Sequence, residues 1–389
     1  MRPRVLVPVR GRVIAGGPAV LERELLRHLP AAAPGWRWIL LAAAGDPTAR
    51  ELAAAAPAGS VRVVTVAARP GLVWDQLLVP RLARRLGADA VFSAFSALPA
   101  HGPFARVLVI PGGDYFVVPD VLDLRNRLKW HLLRHLVLPA AHRVICLSER
   151  HRRDVLAATG LPPERLVAIH PGISDRFRPR DPAAARARLR ARFGLEGRWL
   201  LFVGHLFPNK GLETLLAALA RLRDAPSLRL VVAGGVRWGG YDVAALARHH
   251  GVAERVVALG PVPQAELPTL FVAAEALVVP SRYESFGFVA AEAMACGCPV
   301  VLSTGGALPE VGGDAALYFP PGDDRTLAAR LRALLGDADL RARLRRAGPE
   351  RARRFRWSRT ARATVQVLAE AMAPRTAAVG VRATPPAVR

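Results

Sequence analysis

The sequence predicts an α/β protein made of two Rossmann-like domains facing one another across a cleft. Three observations carry this. Short apolar runs alternate with amphipathic runs along the chain, the pattern of a parallel sheet with helices on both faces. The rhythm breaks once, at the Arg- and Pro-rich stretch ISDRFRPRDP over residues 173–182, and then restarts. Each half opens with an apolar run and a glycine-bearing loop, Gly16-Gly17 in the first and Gly204 in the second, where backbone can approach a ligand closely. A length of 389 residues suits two domains. We place them at 1–178 and 179–373, the second carrying a terminal helix. The tail, 374–389, has few large apolar residues and is expected to be disordered.

In chain order, the first half predicts strands over 5–9, 38–42, 61–66, 90–93, 107–110, 144–147 and 167–169, with helices over 18–29 and 72–86. The second predicts strands over 200–203, 228–233, 256–259, 276–279 and 300–302. Helices are expected over 210–223, 264–274, 285–295 and 325–335, and a last one over 358–372. No short-period repeat is visible.

Composition excludes several classes. The formal net charge is +24, yet arginine is spread along the chain and aromatic residues do not interleave with it as in a base-stacking platform. Nucleic acid is therefore not the expected partner; attraction for anionic ligands and surfaces remains. Three cysteines, Cys146, Cys296 and Cys298, make no disulfide framework and suit a reducing, cytoplasmic setting. Cys296 and Cys298 lie too close together for a zinc knuckle, and read as small residues packing a helix end. The opening MRPRVLVPVR has too short an apolar run for a signal peptide, and no run reaches the roughly 18 apolar residues of a membrane span.

The chemistry concentrates at strand ends. Over 281–301, SRYESFGFVAAEAMACGCPVV reads as strand end, tight loop, helix and next strand, with Glu284 at the mouth and Glu292 eight residues on, inside the helix. Such a helix start offers free N–H groups to an anion. Glu292 is flanked by Ala290, Ala291, Ala293 and Met294, so its carboxylate needs a partner, for which a ligand hydroxyl is suited. The chain has only two lysines, Lys129 and Lys210. Lys210 stands at a predicted helix start, against the helix dipole, and a phosphate between them would reconcile the two.

These residues make the second half resemble the donor domain of a GT-B glycosyltransferase of the retaining family 4 group. The E-x7-E signature of Glu284 and Glu292, Lys210, the SFG loop and the GGALPE run ending in Glu310 carry the resemblance. It is strongest over 200–323 and loose before residue 144. It implies a nucleotide-diphosphate-sugar donor, such as GDP-mannose or a UDP-sugar, and no metal or other cofactor. It implies that Lys210 neutralises the diphosphate, that backbone N–H groups from Ser285, Phe286, Gly287, Phe288 and Val289 cradle it, that Glu292 holds the ribose hydroxyls and that Glu284 contacts the transferred sugar. Gly16 and Gly17 match the family's first-domain glycine loop. Two positions depart from the pattern. His205 follows Gly204 where the family usually has Arg, and Pro111 stands where many members carry a His facing the sugar, with Asp114 or Tyr115 as candidate substitutes.

The acceptor side is less specific. NRLKWHLLRHLVLP, residues 126–139, reads either as a basic helix on an anionic membrane or as an ordinary helix packing on the first sheet. His170 and Asp175 are expected to shape the hinge. The expected activity is transfer of a sugar to a glycan, lipid-linked or small-molecule acceptor; a nucleotide-sugar epimerase or a catalytically degenerate nucleotide-sugar-binding subunit are the alternatives on the same fold.

Overall fold

The computed structural model describes residues 2–10, 16–68, 71–95, 97–113, 117–118, 128, 130–236 and 241–373. Asp114, Tyr115, Lys129 and the tail 374–389 lie outside the described residues.

Two parallel sheets form as expected. The first orders its strands β3-β2-β1-β4-β5-β6-β7, where β1 is Arg4–Pro8, β2 Arg37–Ala43, β3 Val61–Val66, β4 Ala90–Ser93, β5 Ala105–Ile110, β6 Arg143–Cys146 and β7 Leu166–Ala168. The second runs β10-β9-β8-β11-β12-β13, where β8 is Trp199–Val203, β9 Arg229–Ala233, β10 Val256–Gly260, β11 Ala276–Val279, β12 Val300–Ser303 and β13 Ala316–Phe319. In each sheet the strand order reverses beside the opening strand, and ligands of such sheets bind beyond the strands' carboxyl ends at that switch point. Alternation sorts the strand residues between two cores: Val5 and Val7 face one, while Leu6, with Ile39, Val91 and Leu108, faces the other.

The helices are α1 (Gly17–Ala32), α2 (Thr48–Ala54), α3 (Val79–Arg85), α4 (Glu149–Thr159), α5 (Pro182–Phe193), α6 (Leu212–Arg221), α7 (Val243–His249), α8 (Leu267–Ala273), α9 (Phe288–Ala295), α10 (Leu308–Gly312), α11 (Asp324–Gly336), α12 (Ala338–Ala352) and α13 (Trp357–Met372). The expected helix over 72–86 is a π-helical turn, Trp74–Leu78, continued by α3. That over 210–223 opens as a 3₁₀ turn, Pro208–Lys210, before α6. Helices α2, α4, α5, α7, α10 and α12 and strand β13 go beyond the sequence expectation. Helix α4 buries only His151 and Val155, and α5 only Ala185 and Leu189, too sparse a stripe for periodicity to reveal. Their caps were nonetheless written in the sequence: Ser148 and Gly160 bracket α4, Asp181 and Gly194 bracket α5.

The stretch over 173–182 is the crossing between the two sheets, and it is packed. Phe177 is buried against Phe271, with ring centroids 6.1 Å apart, and the Ile173 N–H donates to the Phe355 carbonyl at 3.0 Å. Helix α13 also departs from expectation. It follows the second domain in sequence but packs on α1, β4, β5 and β6 of the first. Its buried stripe of Trp357, Thr360, Ala361, Thr364, Val367 and Leu368 recurs at helical spacing and matches the apolar face of α1. The chain therefore crosses between domains twice, and one apolar core runs through both.

The second crossing is tightest at Gly172, where an added Cβ would lie 2.1 Å from the Trp357 backbone nitrogen. Gly172→Ala is expected to lower stability by about 1–3 kcal/mol, because backbone rather than a flexible side chain must move. Urea unfolding checks this; an unchanged midpoint would show that the crossing is loosely packed.

Candidate functional site

The site is assembled from loops at the carboxyl ends of both sheets. Gly16 caps α1, and a Cβ there would lie 2.5 Å from Cε1 of His205, which follows β8. A Cβ on Gly17 would lie 3.5 Å from the Phe288 ring at the start of α9. The glycine loop of one domain thus meets Gly204-His205 and the α9 start of the other, bringing together five of the residues singled out from sequence: Gly16, Gly17, Gly204, His205 and Phe288.

Lys210 and Glu284 form the charged centre. Lys210 Nζ lies 2.5 Å from Glu284 Oε1, and the Ser281 hydroxyl donates to the same oxygen at 2.8 Å. The loop that carries Glu284 is sewn down from two sides. Asn209, beside Lys210, donates through Nδ2 to the Tyr283 carbonyl at 3.1 Å and accepts from Arg282 N–H at 2.7 Å. On the other side, Ala307 N–H donates to the Glu284 carbonyl at 2.8 Å, and a Cβ on Gly306 would come within 2.2 Å of that carbonyl oxygen. Gly306 therefore lets the loop after β12 lie directly on the Glu284 backbone, and Gly305 lets it lie on the Ser281 and Arg282 carbonyls.

Helix α9 starts later than the sequence suggested. Gly287 has φ 90° and stands outside the helix as its cap, so Ser285 and Phe286 belong to the loop. The N–H groups of Phe288 and Val289, in the first turn, have no carbonyl ahead of them in the helix. Phe286 is fully buried, its ring 5.2 Å from those of Phe288 and Phe355. Ser285 spans the cleft: its hydroxyl accepts from Gly113 N–H at 2.7 Å, and its carbonyl accepts from the Ser148 hydroxyl at 2.7 Å.

Glu292 lies in the middle of α9, 7% exposed, and its carboxylate takes no hydrogen bond from a described residue. Burial pushes its pKa up to about 8, with the Arg176 guanidinium pulling the other way. A cavity of about 620 Å³, lined in part by Glu24, Asp175, Arg356 and Trp357, is a separate feature that includes none of Lys210, Glu284 or His205.

The domain clasp was not legible from the sequence. Glu310, on α10, accepts from the Glu149 and Arg150 N–H groups of α4 at 2.8 and 2.9 Å and lies 2.6 Å from His170 Nε2. A carboxylate from the second domain thus caps a helix of the first. Burial alone would raise the pKa of Glu310, but the His170 ring and the two backbone N–H groups outweigh it and hold the group down to about 2. Tyr283 adds a second tie, its hydroxyl donating to Asp154 at 2.8 Å. Beside these lies His151, fully buried; its Nδ1 accepts from Leu147 N–H at 3.2 Å, and its Nε2 has no partner among the described residues. Burial lowers the His151 pKa to about 3, so the ring is neutral. Pro111 ends β5 and offers no side-chain donor. The three cysteines are buried, with the Cys296 and Cys298 thiols pushed up to about 12 by burial, which suits packing rather than reactivity. Among the described residues, no group of His, Cys, Asp and Glu side chains is placed to hold a metal, and no helix is long and apolar enough to cross a membrane.

Two family models match the chain: glycosyl transferases group 1 over residues 186–351, and glycosyltransferase family 4 over residues 15–177. The chain belongs to the GT-B glycosyltransferases. Curated relatives of the chain include a D-inositol 3-phosphate glycosyltransferase of Streptomyces bingchenggensis, 37% identical over 250 residues that make up 61% of this chain and 54% of that protein. One of Mycobacterium tuberculosis is 40% identical over 178 residues, 44% of this chain and 36% of its own. The chain thus spans about half the length of the first of these relatives, and less of the second. Among solved structures, a sucrose-phosphate synthase of Thermosynechococcus elongatus superposes with a TM-score of 0.75 at 24% identity, covering 95% of this chain and 99% of that one. Anabaena HepE, in complex with UDP and glucose, gives 0.73 at 20% identity, covering 95% and 100%. At these identities the superpositions establish the shared fold.

The clasp has a definite pH signature. The Glu310 pKa sits near 2 in the folded protein against an ordinary 4.5, so the contact contributes its full stability above pH 4.5 and loses it as pH falls toward 2. Thermal unfolding of wild type is expected to weaken more steeply across that window than that of Glu310→Gln. Parallel profiles would remove Glu310 from the clasp.

Proposed function

We propose that this chain is a retaining glycosyltransferase. It holds a nucleotide-diphosphate sugar, GDP-mannose or a UDP-sugar being the leading classes, against the second domain and passes the sugar to a hydroxyl of a glycan, lipid-linked or small-molecule acceptor at the first. The observation that carries the reading is the Lys210–Glu284 pair at 2.5 Å, a cation and a carboxylate held together on loops that follow adjacent strands. A diphosphate entering between them takes Lys210 as its counter-ion and frees Glu284 to accept hydrogen bonds from the sugar. The N–H groups of Phe288 and Val289, which have no carbonyl ahead of them in the helix, add donors to the same charge. Glu292, whose carboxyl burial shifts toward the neutral form, is the partner this reading assigns to the ribose hydroxyls.

In the reaction, the bond from the anomeric carbon to the diphosphate oxygen breaks as the acceptor oxygen attacks on the same face. The acceptor's proton passes to the departing diphosphate oxygen, so configuration is kept. The reading assigns the leaving-group charge to Lys210 and the α9 start, assisted by His205, rather than to a metal. HepE, solved in complex with UDP-glucose, supports a nucleotide-sugar donor, and relatives named D-inositol 3-phosphate glycosyltransferase support a small-molecule acceptor. Buried, unpaired thiols suit a cytoplasmic setting.

A second reading is favoured by Pro111, which puts no donor at the end of β5, and by His205 in place of a fixed guanidinium fork. On that reading the chain binds nucleotide sugar without turning it over. A thermal-shift and donor-release screen of UDP-, GDP- and ADP-sugars separates the two. The main reading expects a shift with one donor and slow nucleotide release, with release cut about 10²–10³-fold in Lys210→Ala and Glu284→Gln. A shift without release in any acceptor mixture supports the binding subunit; wild-type release in both variants overturns the assigned roles.

A further inference from the structure

Another cavity, of about 340 Å³, opens where the chain crosses between the domains. His170, Arg351, Arg354, Arg356, Arg359 and Thr360 supply its polar lining. It includes none of Lys210, His205, Glu284 or Glu292. Its walls come from both domains: His170 follows β7 of the first, Arg351 belongs to α12 of the second, and Arg359 and Thr360 lie in the opening turns of α13. Arginine abounds in this chain, so its presence alone means little; what sets this cavity apart is the lack of an answering acid. Around α5, Arg188 and Arg192 meet Glu266, and Arg186 and Arg198 meet Glu275. In the cavity four guanidiniums gather and no carboxylate of a described residue lines it. Arg354, Arg356 and Arg359 are exposed, and none is ion-paired among the described residues. Arg351 donates to two carbonyls, Val311 at 3.0 Å and Glu310 at 2.5 Å. Two acids of the adjoining segments are engaged elsewhere, Glu350 by Arg353 and Glu310 by His170 and α4.

The same arginines also oppose the dipole of α13. Arg356 is the residue that caps this 16-residue helix, it makes no side-chain cap, and the first turn contains no acid. Arg359 stands in that turn instead. A helix start favours negative charge, so an anion set among these cations relieves both their mutual repulsion and the mismatch with the helix. Guanidiniums with free donors match the oxygens of a phosphate group, and the volume suits a small ligand. The cavity also shares its walls with the clasp. His170 lines the cavity and holds the Glu310 carboxylate, while Arg351 lines it and donates to the Glu310 carbonyl. An occupant shared between Arg351 and Arg359 ties the second domain to α13, which packs on the first.

We propose that this cavity binds a small phosphate-bearing anion as an effector, and that its occupant strengthens the Glu310 clasp. The binding does not rest on the glycosyltransferase reading; its effect on donor release does. The test is calorimetric titration of the full chain with inorganic phosphate, pyrophosphate and glycerol phosphate at constant ionic strength, repeated on Lys210→Ala, whose donor site lacks its counter-ion. Saturable binding of one anion per chain is expected in both proteins. Arg354→Gln combined with Arg359→Gln should weaken it about tenfold or more. Both side chains are exposed, so the double variant should fold, and without added anion it should release donor like wild type. Coupling between two sites is reciprocal, so Glu310→Gln should weaken the anion about fivefold or more. Donor release by wild type should change when the anion is added, and release by the double variant should not. Tighter binding of glycerol phosphate than of the two inorganic anions identifies a phosphate monoester as the occupant; the reverse order identifies free phosphate or pyrophosphate. The site is overturned if wild type binds none of the three saturably, if the double variant binds like wild type, or if Lys210→Ala abolishes binding, which would put the anion at the donor site. An anion that binds with the same affinity to Glu310→Gln and leaves wild-type donor release unchanged overturns the effector role. Saturable binding by a protein that releases no donor under any condition would instead sink the transferase reading and leave the anion site standing.

Discussion

Everything at the site depends on one contact, the Glu310 carboxylate set on the amino end of α4. It joins α10 of the second domain to a helix of the first through two backbone N–H groups and the His170 ring. A helix start is a standing demand for negative charge, and meeting it across a domain boundary fixes both distance and orientation. With that register set, the Ser285 hydroxyl reaches Gly113, the Tyr283 hydroxyl reaches Asp154, and Gly16 comes against His205. Displacing α10 by a fraction of a turn would break all of these together.

The same design recurs at smaller scale around Glu284. Its loop carries no regular structure, yet the Asn209 side chain, Ala307 N–H and the close approach of Gly306 fix its backbone, and Ser281 and Lys210 fix its carboxylate. A buried ion pair contributes little net stability once desolvation is counted, so the pair is better understood as a site kept ordered and charged than as a strut. Glu292 is the complementary case, a carboxyl buried without a described partner, whose surroundings favour the neutral form.

Much of this was legible in the sequence, for identifiable reasons. Both sheets were, because parallel strands covered on two faces read as unbroken apolar runs; β13 was missed where ALYF, with half-exposed Leu317 and Tyr318, is too short and mixed. Lys210 and Glu284 stood out by rarity and spacing. The polar helices α4, α5 and α12 did not, because a helix that buries two or three side chains leaves almost no periodic signal. Nor did the clasp: Glu310 and Glu149 are 161 residues apart, and an acceptor for a backbone N–H leaves no pattern in its partner's side chain. The return of α13 to the first sheet was hidden similarly, since its stripe of Trp357, Ala361 and Leu368 specifies that it packs, not on which domain.

The most direct test is a crystal structure with a nucleoside diphosphate bound. The account predicts the terminal phosphate within hydrogen-bond distance of Lys210 Nζ and of the Phe288 and Val289 N–H groups, with the Lys210–Glu284 contact opened and Glu292 beside the ribose. A nucleotide seated elsewhere, such as the cavity beside Glu24 and Arg356, with Lys210 still on Glu284, would contradict it.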